Sequence, residues 1–344
     1  MPAPDTPLLE IKSLAVSFYK DNPLHSGKLE AKAVDGVSFE LRAGKTLSLV
    51  GESGCGKTMT AFAIMRLVPE PGEISHGEIL FAGKVLNKLS EKEMQKLRGN
   101  KMAMIFQEPM TALNPVLTIG SQIEEAVLAH FNTPKKELKE LVLELLRQVG
   151  IPSPKERYED YPHQLSGGMR QRIVIAMALI NRPSLIIADE PTTALDVTIQ
   201  RQILALLAEL ARKSGTATLL ITHDLGVVRE VSDEIIVMYA GKIMERASTA
   251  DLFAAPMHPY TKGLIASIPG LAVKQSTSEA GKRLPTIPGT VPSLWNKPKG
   301  CPFNTRCPKV FERCFAELPP LDSVNQSTHT TEPPHTVRCW LYAK

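Results

Sequence analysis

The 344-residue sequence has no run approaching the roughly 18 apolar residues that a membrane-spanning helix needs. Its start, MPAPDTPLLEIKSL, has no basic segment followed by a long apolar one, which argues against an export leader. The chain is therefore expected in the cytosol, free or held at a membrane by a partner. Cysteine is scarce, with five in all, and structural disulfides are not expected in that compartment. Dense Lys/Arg runs are also missing: 40 Lys and Arg against 36 Asp and Glu leave a net charge of +4, so nucleic acid is not an expected partner. No internal repeat is evident.

What is present is the balance of a globular protein able to bury a core, with 43% hydrophobic and 22% charged residues. At about 150 residues per domain, the length suits two structural units. Thirteen of the 27 prolines fall after residue 250, so a compact body over 1–255 should give way to a loop-rich tail over 256–344. In the body, short apolar runs (KTLSLVG, KMAMIFQ, SLIIAD, TATLLITH) alternate with helical patterns such as PKKELKELVLELLRQVG and DVTIQRQILALLAELARKSG. That rhythm predicts an α/β fold with a largely parallel sheet. LLEIKSLAVSF and AVDGVSFELRAG alternate apolar and polar residues instead, which predicts an antiparallel β layer at the front.

The strongest motif is GESGCGKT, Gly51 to Thr58, between the strand-like TLSLV and the helical KTMTAFAIMRLV. Both flanks are what a phosphate-binding loop requires. Gly51, Ser53, Gly54, Cys55, Gly56, Lys57, Thr58 and Met59 form the candidate nucleotide stretch. Its glycines let backbone N–H groups turn toward a polyphosphate, Lys57 supplies a point charge, and the Thr58 hydroxyl is a Mg²⁺ ligand. Cys55 reads as a small spacer whose thiol, if exposed, would be open to alkylation.

LIIADEP ends a second apolar strand with Asp189 and Glu190, where open α/β sheets bind ligands. Asp189 is expected to hold Mg²⁺ through water and Glu190 to polarise the attacking water. LLITHD ends a third strand with His223, a candidate γ-phosphate sensor in this order of motifs. Between them, in YPHQLSGGMRQRIVIAMALI, Ser166, Gly167 and Gly168 open a helix whose free N–H groups suit an anion. The chain already has one phosphate loop, so this second anion site invites a nucleotide from another subunit.

The order GESGCGKT, Gln107 in IFQEP, LSGGM, ADEP, TALD and His223 resembles the ATP-binding cassette ATPases of membrane transporters over about residues 8–255. The resemblance implies a P-loop fold with a parallel core sheet, an antiparallel β subdomain and a helical subdomain at about 108–182. It also implies ATP and Mg²⁺ as ligands, and two cassettes facing head to tail, so that Ser166 serves the partner's nucleotide. By the same resemblance Phe18 stacks on adenine, Gln107 touches Mg²⁺ and links to the membrane subunits, and Asp196 sits at the dimer seam. Met169 stands where many cassettes carry Gln, and activity is expected to survive this departure.

The tail stretches PMHPYTKGLIASIPG, LPTIPGTVPSL and GCPFNTRCP resemble the C-terminal extension of ATPases from bacterial dipeptide and oligopeptide importers, whose relatives also move nickel or glutathione. This implies a second, different ATPase, two permease subunits, an extracytoplasmic binding protein and a peripheral place at the cytoplasmic face of the membrane. The competing reading is a regulatory cassette ATPase outside transport, with the cysteine tail as a sensor.

Four of the five cysteines, Cys301, Cys307, Cys314 and Cys339, lie in the tail. Close C-x₂₋₄-C pairs typical of zinc are absent, and a four-iron, four-sulfur cluster, zinc and free thiols all stay open. Arg306, Arg313 and Arg338 each precede a cysteine, which predicts positive charge favouring thiolates. Importer ATPases with this tail resemble proteins that hold such a cluster.

Overall fold

The computed structural model describes residues 6–21, 27–107, 112–192, 196–268, 285–324 and 334–343. Residues 108–109 of IFQEP and 193–195 of TALD lie outside them. In chain order the strands are β1 (Leu9–Asp21), β2 (Lys28–Leu41), β3 (Thr46–Val50), β4 (Glu73–Phe81), β5 (Lys84–Val85), β6 (Met102–Ile105), β7 (Leu185–Asp189), β8 (Ala217–Thr222), β9 (Glu234–Tyr239), β10 (Lys242–Ser248), β11 (Asp322–Ser323) and β12 (Thr336–Val337). The chain forms two compact units: Met1–Leu8, Leu41–Thr46 and Leu86–Ile221 in one, and Leu9–Glu40, Leu47–Val85 and Thr222–Lys344 in the other.

In the first unit, β6 pairs parallel with β7 (Met102 opposite Leu185) and β7 with β8 (Leu185 opposite Ala217). Every residue of β7 and β8 is buried, which explains apolar runs without alternation. The helices Ile119–Leu128, Lys135–Gln148 and Gly167–Leu179 pack on one another. Lys135–Gln148 buries Leu138, Val142, Leu145 and Leu146 along one stripe and leaves its charges in water. The helix Val197–Ser214 starts at Asp196, whose carboxylate accepts from the Ile199 N–H at 3.0 Å, and stops at Gly215. Gly215 has φ 68°, a left-handed conformation that glycine adopts without steric cost.

In the second unit, an antiparallel sheet in the order β2-β1-β4-β5 supplies the expected front layer. Separately, β3 pairs parallel with β9, and β9 antiparallel with β10. The proline-rich tail then adds β12 to the edge of β10 and β11 to β12, satisfying an edge otherwise open to stray pairing. Tail and body also share a core: Cys301, Phe303 and Cys314 cluster with Val50, Ile235, Val237, Tyr239, Met244 and Tyr260. Phe303 is fully buried, its ring 5.2 Å from Tyr239 and 5.3 Å from Tyr260. Edge and tilted contacts of this kind are the favourable geometries for aromatic pairs.

Glu245, fully buried on β10, accepts from the N–H groups of Met257 (2.7 Å) and His258 (2.8 Å) and pairs with His335 Nε2 at 2.7 Å. These bonds fix the start of the helix Pro259–Ala266, where His258 Nδ1 accepts from the Tyr260 N–H at 3.0 Å. Burial pushes the His258 pKa down to about 4, so the ring is held neutral.

Candidate nucleotide site

The loop Gly51–Gly56 leaves β3 and opens the helix Lys57–Met65, the strand-loop-helix context expected from sequence. Glycine is required here for close approach. A Cβ on Gly51 would lie 2.3 Å from the Met238 carbonyl oxygen, and one on Gly56 would lie 2.5 Å from that of Ala33. Lys57, only 4% exposed, donates to the carbonyls of Gly51 (2.8 Å) and Glu52 (3.1 Å) and meets the Cys55 thiol at 3.7 Å. Thr58 and Met59 follow, half-buried, on the first turn, and Ser53 and Gly54 are exposed. Cys55 is fully buried and burial raises its thiol pKa, so the exposure on which alkylation would depend is absent. Phe18 is half-buried on β1 and packs against Gly72, where a Cβ would come within 2.7 Å of its ring. His223 is exposed, directly after β8.

In the first unit Asp189 closes β7 and is 2% exposed, while the next residue, Glu190, turns outward with φ 44°. A glutamate in the left-handed region is uncommon and costs energy unless its surroundings hold it. Bonds that hold Glu190 include that of its N–H to the Ile221 carbonyl at 2.8 Å and that of Gln107 Nε2 to its Oε2 at 3.1 Å. Gln107 and Glu190, 83 residues apart, are thus brought together. Ser166 caps the helix Gly167–Leu179, accepting from the Met169 N–H at 3.3 Å. Ser166 and Gly167 are exposed, and Gly168 packs near Ile199. That helix start presents N–H groups outward, as an anion site needs.

The tail cysteines are gathered in one part of the extension. Cys301 and Cys314 are buried, and Cys307 and Cys339 are half-buried. Burial, helped by the neighbouring thiols, pushes Cys301 up to about 12 and raises Cys307 and Cys339. The expectation that adjacent arginines favour thiolates is therefore corrected, because the arginines point to other partners. Arg306 binds Glu52, Arg313 pairs with Glu317 and lies 3.5 Å from the centre of the Trp340 ring, and Arg338 donates to the Ile243 and Pro319 carbonyls. Among the described residues no group of three or more His, Cys, Asp or Glu side chains is set to hold a metal ion. The expected four-iron, four-sulfur centre, and zinc as its alternative, gain no support from this arrangement.

Sequence reasoning missed the contacts that tie the tail to the phosphate loop. Arg306 and Tyr260 carry them, while Lys297 bonds the neighbouring Lys32 and Ala240 carbonyls, and only the arginines before cysteines gave any signal.

The strand-loop-helix of one unit and the strand-end carboxylates of the other are each, taken singly, features of P-loop nucleotide hydrolases. The sequence matches the ABC transporter family over residues 34–193 and the oligopeptide/dipeptide transporter C-terminal region over 244–314. It is 50% identical over 335 residues to the dipeptide transport ATP-binding protein DppD of Bacillus subtilis, spanning 97% of this chain and 94% of that one. It is likewise 50% identical over 337 residues to the oligopeptide transport ATP-binding protein OppD of the same organism, spanning 98% and 89%. A solved ATP-binding cassette, MJ0796, dimeric and bound to ADP and Pi, superposes with a TM-score of 0.60 at 28% identity, covering 70% of this chain and 98% of that one. The chain belongs to the ABC transporter ATPase family, in the branch that carries the oligopeptide/dipeptide transporter C-terminal region. It is an ATPase with an α/β cassette fold, and no helix among the described residues is long and apolar enough to cross a membrane.

Proposed function

We propose that this chain is the ATP-hydrolysing subunit of an importer of dipeptides or oligopeptides. It works beside a second ATPase, beneath two permease subunits fed by an extracytoplasmic binding protein, at the cytoplasmic face of the membrane. The observation that carries this reading is similarity to peptide-transport ATPases along nearly the whole chain, tail included. A regulatory cassette outside transport has no comparable support. Importers of nickel chelates or glutathione remain the alternative cargo class.

Each unit carries its own part of the chemistry. Lys57 and the N–H groups of residues 51–58 bind the phosphates, and Phe18 lies against adenine. Thr58, Gln107 and Asp189 would hold Mg²⁺, which when bound neutralises charge on the phosphate oxygens. Water attacks the γ-phosphorus in line, its proton passes to the Glu190 carboxylate, and ADP leaves. The Gln107 amide, already bonded to Glu190, orients that base. His223 contacts the γ-phosphate. Ser166, Gly167 and Gly168 bind the nucleotide held by the partner cassette, with Asp196 at the seam between the two. The dimeric state of the solved relative supports this pairing.

A metal centre on Cys301, Cys307, Cys314 and Cys339 is a finer proposal that rests on the chemistry of four thiols in one tail and on their mutual influence, not on a formed metal site among the described residues. Four thiolates would suit a cluster that staples a small segment short of regular elements.

Co-purification with permease subunits tests the assignment, and ATP turnover stimulated by a peptide-loaded binding protein is the result expected. A cassette that associates with no membrane subunit would belong to the regulatory reading.

A further inference from the structure

Glu52 is held at every polar group it has. Its N–H donates to the Tyr260 hydroxyl at 2.9 Å, its carbonyl accepts from Lys57 at 3.1 Å, and its carboxylate receives the Arg306 guanidinium in two bonds of 2.5 and 3.0 Å. Arg306 comes from the cysteine-bearing tail, 254 residues away. It is immobilised in turn: it donates to the carbonyls of Pro288 (2.8 Å) and Ile287 (3.2 Å) and to the Tyr239 hydroxyl (3.2 Å). Its side chain is 3% exposed and that of Glu52 31%. A forked guanidinium matches a carboxylate in two bonds that fix orientation as well as charge.

A second arm reaches the chain that flanks this loop. Lys297, also from the tail, donates to the carbonyls of Lys32 and Ala240 at 2.5 and 2.7 Å. The next residue, Gly241, donates its N–H to the Cys55 carbonyl at 2.9 Å. The Ala33 carbonyl, beside Lys32, bounds the space at Gly56.

We propose that the C-terminal extension positions the phosphate-binding loop, with Arg306 as a positioning residue acting through Glu52. A carboxylate in a loop that must receive a polyphosphate opposes binding unless it is paired and turned aside. The bidentate bond does both: it offsets the charge and directs the side chain toward the tail. The tail thereby becomes part of the nucleotide site without touching nucleotide. This inference rests on reading residues 51–58 as the phosphate loop.

The test is the MgADP affinity of the full-length chain by calorimetry, with thermal melting measured in parallel. Arg306→Glu should weaken MgADP binding about 5- to 100-fold, the usual range of coupling between sites. The exchanged pair Glu52→Arg with Arg306→Glu should recover most of that loss. Unchanged affinity in folded Arg306→Glu protein, or a pair no better than the single variant, overturns the proposal; a purely structural arginine would lower the melting temperature alone. Should the Arg306 variants fail to fold, Glu52→Ala removes the contact and its charge together, so that only the positioning is lost: weaker MgADP binding supports the brace, and unchanged or tighter binding overturns it. Lys57→Ala separates the two readings. If it leaves MgADP binding intact, the phosphate-loop assignment itself fails; if it abolishes binding while Arg306 variants bind normally, only the brace fails.

Discussion

The amide of Gln107 donates to the carboxylate of Glu190 across 3.1 Å, joining the loop after β6 to the residue that follows β7. Glu190 sits there with a left-handed backbone, its N–H bonded to Ile221 of the next strand. On the proposed function, this carboxylate is the base that works on a bound phosphate. Glu190→Gln should keep ATP binding and lower hydrolysis by about 10² to 10⁴-fold, the usual worth of a positioned base. Single-turnover measurement with labelled ATP reads this directly, and near-normal turnover would remove Glu190 from the role.

Ser166 and Gly167 form the exposed start of a helix in the first unit, whereas Lys57 lies in the second. On the head-to-tail reading, the isolated chain should be a poor ATPase and gain activity with its partner cassette and permeases. Specific activity should rise with concentration in light-scattering-matched samples. Full activity in a dilute, monomeric sample would contradict the shared site.

His258 predicts a pH dependence of stability. Its folded pKa of about 4 lies below the ordinary value near 6.5. The unfolded chain therefore binds the proton more readily. The contribution is fully present above pH 6.5 and is lost as pH falls toward 4, reaching about 2 kcal/mol at pH 5 and about 3 kcal/mol at full loss. His258→Asn keeps an acceptor for the Tyr260 N–H and removes the titration. Urea unfolding at pH 7 and pH 5 should show the wild-type chain losing about 2 kcal/mol more than the variant; equal losses would place the acid sensitivity elsewhere.

The finer proposal of a metal centre on the four thiols of the extension makes a separate prediction. Protein purified without oxygen should be brown, carry about four iron and four acid-labile sulfides per chain, and lose its colour on Cys307→Ser. Colourless protein with intact thiols, or with stoichiometric zinc, would defeat the cluster.

The parts legible in the sequence are the local ones. GESGCGKT, LIIADEP and the Ser166 helix start are contiguous, and their chemistry is set by strand, turn and helix immediately beside them. The helices after Pro134 and Asp196 are legible because their apolar spacing is local as well. The burial of Cys55 was not, since it depends on the chain packed around the loop. Nor was the partner of Arg306. The sequence sets that guanidinium beside Cys307, but a long side chain reaches whatever the fold brings near, and the fold brings Glu52. The tail looked like an appendage because its prolines deny it long elements; Phe303 nevertheless anchors it in a shared core, and β12 completes a sheet edge.

The central claim is that ATP hydrolysis by this chain drives peptide import. Its most direct measurement is uptake of labelled dipeptides and oligopeptides into proteoliposomes holding the complete transporter, with this subunit as wild type and as Glu190→Gln. The account predicts ATP-dependent accumulation with the wild-type subunit and loss of accumulation, with ATP still bound, in the variant. Peptide uptake that continues unchanged with Glu190→Gln, or a complex that moves no peptide while hydrolysing ATP at full rate in response to another cargo, would contradict it.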